Sequence, residues 1–198
     1  MSKLETVAQV GENEALKRTI ARLNASEHAL VGPGDDSAVI ASPDGRFTVT
    51  TDTLIEGHDF KLDWSSAYDL GWKAVASNIA DVAAMGAVPT SLVVALTVPG
   101  HTEVSWLEHF ADGLKAACVN LAPGCGVVGG DLASSEQVMI SVAAHGSLEG
   151  REPVLRSGAQ VGDILAVAGT LGRAAAGLAL LESGNRDAIS AYDDLVNV

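Results

Sequence analysis

The sequence predicts an α/β protein of the α+β type, because short β-prone runs alternate with stretches of helical periodicity. Two further observations support that class. Hydrophobic residues make up 47% of the chain and charged residues 19%, enough apolar material for a core and too little charge for disorder. At 198 residues there is room for one packed domain plus the opening of another. Aromatics are only 4%, so the core must be built mainly from Ala, Val, Leu and Ile.

Residues 13–23 read as a short helix, with Leu16, Ile20 and Leu23 on one face and Lys17, Arg18 and Arg22 on the other. Residues 38–41 and 47–52 are β-prone and are joined by Pro43-Asp44-Gly45, a tight-turn signal, so they read as a hairpin. Ser65 or Ser66 caps a helix that runs to about Met85, where Gly86 stops it. Residues 91–98 form a strand rich in Leu and Val. From Thr102 an amphipathic helix begins, because Val104, Leu107, Phe110, Leu114 and Ala117 recur at helical spacing. Residues 126–128 and 138–144 read as two more strands.

After Gly150 the texture changes. Arg151-Glu152-Pro153 reads as a linker, dividing a domain over residues 1–150 from a second one begun over 151–198. That second piece holds a strand at residues 164–168 and an alanine-rich helix at 171–181. It reads as the truncated start of a further α/β domain, since one strand and one helix cannot bury a core of their own.

The formal charge is −13, from 25 acids against 12 Lys and Arg. A field of that sign repels nucleic acid and anionic membranes, so neither is expected as a partner. No apolar run is long enough to span a bilayer, and the first ten residues do not read as a signal peptide. Cys118 and Cys125 match neither a zinc nor a redox spacing, and read as reduced thiols of a cytoplasmic protein. If the ligand is a polyphosphate, so acidic a chain needs divalent cations to bridge carboxylate and phosphate.

Four stretches put acids at element ends: Gly34-Asp35-Asp36, Thr50-Thr51-Asp52-Thr53, Asn78-Ile79-Ala80-Asp81 and Gly129-Gly130-Asp131. Taken singly, Asp beside Gly is first of all a turn signal. The second and third stretches carry more. Asp52 sits among three threonine hydroxyls, all hard oxygen ligands. Asp81 lies in an apolar helix, with Ser77 and Asn78 four and three positions earlier on the same face, a polar stripe that needs partners. Gly169-Thr170-Leu171-Gly172-Arg173 lacks the Lys-Ser/Thr ending of a phosphate loop and reads as a structural turn. The histidines show no metal-ligand spacing, and no Ser-His-Asp arrangement has local support.

Taken in order, several motifs resemble those of the thiamine-monophosphate kinase family, within the aminoimidazole-ribonucleotide synthetase superfamily. They are Gly34-Asp35-Asp36-Ser37-Ala38, Thr51-Asp52-Thr53-Leu54-Ile55-Glu56-Gly57-His58-Asp59-Phe60, Asp69-Leu70-Gly71-Trp72-Lys73-Ala74, Asp81-Val82-Ala83-Ala84-Met85-Gly86-Ala87, Gly129-Gly130-Asp131 and Leu155-Arg156-Ser157-Gly158-Ala159. The resemblance implies a mixed sheet flanked by helices, two such sheets closing a barrel in a homodimer, and a second α/β domain. It implies transfer of the ATP γ-phosphate to thiamine monophosphate, a step of thiamine biosynthesis, with Mg²⁺ and ATP bound. Carried over by motif, Asp36, Thr50, Thr51, Asp52, Asp81 and Asp131 are the metal ligands, and Asp52, Asp81 and Asp131 are the catalytic acids. Gly130, Asp131 and Arg156 contact the nucleotide, and His58 faces the thiamine substrate. Leu132 departs from the pattern, standing where the family has Thr.

The expected reaction is direct in-line transfer, with this stretch alone inactive for want of further carboxy-terminal ligands. Two alternatives stand beside it: another ATP-dependent synthetase of the superfamily, and a non-catalytic acidic metal-binding or assembly domain. A selenophosphate synthetase usually carries a reactive Cys near its amino terminus, and no Cys precedes Cys118.

Overall fold

A computed structural model describes residues 5–33 and 37–185. They fall into two compact units, divided between Leu155 and Arg156. The first unit contains α1 (Val7–Val10), α2 (Glu12–Ile20), β1 (Ala29–Val31), β2 (Val39–Ile40), β3 (Phe47–Ile55) and α3 (Ala67–Ala84). It continues through β4 (Val88–Val98), α4 (Val104–Leu121), β5 (Gly126–Ser134) and β6 (Met139–Ser147). The second holds one 3₁₀ turn, Arg156–Gly158, and α5 (Arg173–Ser183). Among the described residues no helix is long and apolar enough to cross a membrane.

Four strands form a mixed sheet in the order β3-β6-β4-β5. β4 and β5 run parallel, joined through α4, while β6 is antiparallel to both β3 and β4. Side chains alternate across such a sheet. Leu92, Val94, Leu96, Val98, Ile140, Val142 and Ala144 are accordingly buried, under α3 and α4. On the other face Phe47 and Val49 are 60% and 61% exposed. The expected mixed sheet flanked by helices is thus present, with its helices on one face.

α3 begins after Ser66, one of the two expected caps, and there forms a capping box. The Ser66 hydroxyl oxygen accepts from Asp69 N at 3.2 Å, and Asp69 Oδ2 accepts from Ser66 N at 2.9 Å. The helix then packs on α4 through bare backbone. A methyl group on Gly71 would lie 2.2 Å from the Phe110 carbonyl oxygen, and one on Gly113 would lie 2.0 Å from that of Tyr68. Each glycine therefore lets the facing backbone approach where any side chain would hold it off.

Two expectations fail. Residues 38–41 and 47–52 do not form a hairpin: β2 pairs with β1 in a separate two-stranded sheet, and β3 pairs with β6 over nine residues, from Phe47↔Ser147 to Ile55↔Met139. The turn itself is present, with Gly45 N donating to Ser42 O at 3.1 Å and Arg46 N to Asp44 Oδ1 at 3.1 Å. A turn reverses the chain, but the partner of each strand is set by the longer ladder available to it. The strand expected at residues 164–168 is also absent, and Ile164 and Leu165 are 92% and 100% exposed. A strand exists only in a ladder, and among the described residues nothing pairs with this run.

Gly113→Ala should lower stability by about 1–3 kcal/mol, the usual range for forcing extra atoms into a packed contact, read as a fall in Tm. An unchanged Tm would show that α3 and α4 can separate without loss.

Candidate active site

β3 runs along one edge of the sheet, and its alternation sorts the expected ligands. Thr50, Asp52 and the buried Leu54 share the helix-covered face. There the Thr50 hydroxyl donates to Asp81 Oδ2 of α3 at 3.2 Å. Asp52 lies two residues further along the same face, and its carboxylate has no hydrogen-bond partner among the described residues. Thr51 is on the opposite face, where its hydroxyl donates to the Val142 carbonyl at 2.8 Å. The structure thus brings Thr50 to Asp81, sets Asp52 on the same face of β3, and turns the Thr51 side chain away from them.

The polar stripe on α3 is resolved locally. Ser77 Oγ donates to Lys73 O at 2.8 Å and Asn78 Nδ2 to Ala74 O at 2.9 Å, each one helical turn back. Asn78 is 1% exposed, and its Oδ1 has no partner among the described residues. Asp81 alone of the three reaches across to β3.

Asp131 is elsewhere. It lies on β5, the opposite edge, in the row Thr53, Ser141, Ala95, Asp131. Three interstrand steps separate it from β3, roughly 14 Å at ordinary strand spacing. Its neighbour Leu132, 4% exposed, points in among the helices, so Asp131 faces the other way. That inward position also explains why an apolar residue is accommodated at 132. Gly130 is required by packing: a methyl group there would lie 2.1 Å from Val94 O on β4. Gly130 and Asp131 line a cavity of about 500 Å³ whose walls include Leu16, Leu23, Phe110 and Leu114.

Of the remaining expected residues, Asp36 lies outside the described residues, and Arg156 belongs to the second unit, exposed on its 3₁₀ turn. His58 sits in the turn that follows β3, with its side chain 83% exposed. Asp59 organises that turn. Its Oδ2 accepts from Ile55 N at 2.8 Å, its Oδ1 meets His58 Nδ1 at 3.1 Å, and its carbonyl accepts from Lys73 Nζ at 2.7 Å. The Ile55 amide, and then the His58 imidazole, hold its carboxyl below the usual carboxylate range. Sequence reasoning passed over Asp59 and Lys73. No local spacing signals Asp59, since an Asp ordinarily bonds backbone two residues on and this one reaches back four.

Among the described residues no three His, Cys, Asp or Glu side chains gather as a metal site. The β3 edge still suits Mg²⁺, which takes one or two carboxylates and completes its octahedron with water and phosphate oxygens. Asp52 and Asp81 are two such carboxylates, beside the Thr50 hydroxyl.

Comparison with known proteins fixes the lineage. The family profile "AIR synthase related protein, N-terminal domain" matches residues 34–148. The chain belongs to that family. A thiamine-monophosphate kinase of Mycobacterium tuberculosis is 44% identical over 182 residues, covering 92% of this chain and 54% of the relative. The crystal structure of a thiamine-monophosphate kinase from Stenotrophomonas maltophilia K279a superposes with a TM-score of 0.74 at 34% identity, over 93% of this chain and 57% of that one. AaThiL complexed with AMPPCP and TMP superposes at 0.66 with 31% identity, over 94% and 57% of the two chains. This chain therefore spans about half the length of the relatives it matches.

The Asp59 contacts carry a pH consequence. Its carboxyl is held below the unfolded value, so the stability it contributes is complete above about pH 4 and is lost as pH falls through the folded value. Asp59→Asn should therefore lose less Tm than wild type between pH 6 and pH 3. An equal loss would mean that these contacts do not favour the ionised form.

Proposed function

We propose that the protein transfers the γ-phosphate of ATP to thiamine monophosphate, giving thiamine diphosphate. This stretch would supply the Mg²⁺-binding edge and the nucleotide cavity. The observation that carries the reading is the Thr50–Asp81 contact, with Asp52 on the same face of β3, in an AIR-synthase-related domain. The names of the relatives, and the joint presence of AMPPCP and TMP on AaThiL, favour this reaction over others of the same fold.

The acceptor's chemistry suits such a site. A phosphate monoester has a second pKa near ~6, so it is already a nucleophilic dianion at neutral pH and needs no general base. The difficulty is bringing it against the ATP tail in a protein of charge −13. Phosphoryl transfer is mostly positioning and charge neutralisation, and no covalent intermediate on the protein is called for. Mg²⁺ bound at Asp52 and Asp81 would neutralise phosphate charge. Thr50 orients Asp81 by donating to its Oδ2, which leaves Oδ1 available to a cation. Gly130 and Asp131 border the cavity proposed for the nucleotide, Arg156 is assigned to phosphate, and His58 faces the thiamine substrate.

Two carboxylates at ~4 Å repel by about 4 kcal/mol at an effective dielectric near 20, so a shared cation is the reason to bring acids together. Asp131 is too far from Asp52 to share one within a single subunit. β3 and β5 are, however, the two edges of the same sheet, each with one neighbour. In the proposed homodimer, sheets joined edge to edge close a barrel and bring the β5 edge of the partner subunit, with its Asp131, against the β3 edge that carries Thr50 and Asp52. Alternation leaves Asp131 on the face opposite Asp52, so a shared cation would sit at that seam, with the carboxylates meeting it from the two sides. Free, buried Cys118 and Cys125 accord with a reducing, cytoplasmic setting.

In the full-length gene product, Asp52→Asn should cut thiamine diphosphate formation by about a thousandfold or more at saturating Mg²⁺. Near-normal turnover would refute the metal assignment. Coexpressing Asp52→Asn with Asp131→Asn should restore about a quarter of wild-type activity, because half the random dimers carry one intact shared site. No recovery would place both acids in one subunit's site.

A further inference from the structure

The two carboxylate oxygens of Asp59 perform separate tasks. Oδ2 accepts the Ile55 amide and closes the turn, and Asp59 N returns a bond to Ile55 O at 2.8 Å. Oδ1 is not needed for that closure and sits 3.1 Å from His58 Nδ1. A carboxylate can only accept, so the nitrogen facing it must carry the hydrogen. Nε2 is then left without a proton in the neutral ring, on a side chain that is 83% exposed. The turn is anchored on both sides. Phe60 is buried at 6%, and Lys73 of α3 binds the Asp59 carbonyl. The helix that carries Asp81 thus also holds the turn that presents His58.

We propose that Asp59 is a positioning residue for His58, holding the imidazole as its Nδ1–H tautomer so that Nε2 accepts an N–H or O–H donor of the acceptor substrate. The proposal rests on the reading that His58 faces that substrate. It deepens that reading by specifying which part of the molecule is read: an unprotonated Nε2 recognises a donor on the organic moiety and offers nothing to a phosphate oxygen, which is itself an acceptor. The lowered carboxyl of Asp59 accords with a group that holds its negative charge throughout the working pH range.

Asp59→Asn separates the two tasks. Its amide oxygen can still accept from Ile55 N, while its NH₂ replaces Oδ1 and can only donate to His58 Nδ1. Long-range ¹H–¹⁵N spectra of ¹⁵N-histidine-labelled protein at pH 8, above the ordinary histidine range, report the tautomer directly. His58 is identified among the five histidines by the signal lost in His58→Gln. Wild type should show Nδ1–H as the major form, and Asp59→Asn should invert the ratio towards Nε2–H. A wild-type spectrum dominated by Nε2–H overturns the proposal, and does so even if the variant fails to fold. A folded variant with an unchanged ratio also overturns it. Adding thiamine monophosphate should then shift the wild-type Nε2 signal, with affinity about fivefold weaker in Asp59→Asn, the loss expected for one hydrogen bond. If the tautomer inverts but thiamine monophosphate leaves Nε2 unmoved, the failure lies in the substrate-facing assignment of His58, and the recognition half of the proposal falls with it.

Discussion

The contact between α3 and α4 at Gly71 and Gly113 underlies the arrangement of the candidate site. Backbone meets backbone there, with no side chain between. The approach sets how closely α3 lies beside α4 across the sheet, and so where along it Asp81 stands relative to Thr50. A bulkier residue at either glycine would push the helices apart. The cost would appear as lost packing, and also as a displaced carboxylate.

The same economy of space recurs at Gly130, which allows β5 to approach β4 and leaves Asp131 on the outer edge. The sheet thereby carries its acids on its two extremes, β3 and β5, with the apolar strands β6 and β4 between them. Within one subunit this keeps like charges apart and offers no complete cation cage. The dimer proposed above accords with that arrangement, because a neighbour at an unpaired strand edge and a cation among uncompensated carboxylates would each relieve a cost.

Much of the fold was legible before any coordinates. The α4 stripe of Val104, Leu107, Phe110, Leu114 and Ala117 is buried as its spacing implied, and Ser66 caps α3. What misled was pairing. The turn at residues 42–46 is genuine, yet it joins strands of two different sheets, since turn chemistry is local and ladder choice is not. The site was legible in its residue types and only partly in its grouping. Thr50, Thr51 and Asp52 are neighbours in the chain, but pleating sends Thr51 to the far face and joins Thr50 to a helix some thirty residues on. Asp59 was overlooked because its importance lies in three contacts, one of them with Lys73, fourteen positions away.

Sequence by itself determined the element types, the apolar faces, the acidic character and the set of hard oxygen donors. These follow from composition and from periods of 2 and 3.6 residues, which are properties of a chain segment alone. Only tertiary structure decided which donors meet, because a strand's face and partner depend on the whole sheet. It placed Thr50 against Asp81, sent Asp131 to the opposite edge, and put a carboxylate behind the imidazole of His58.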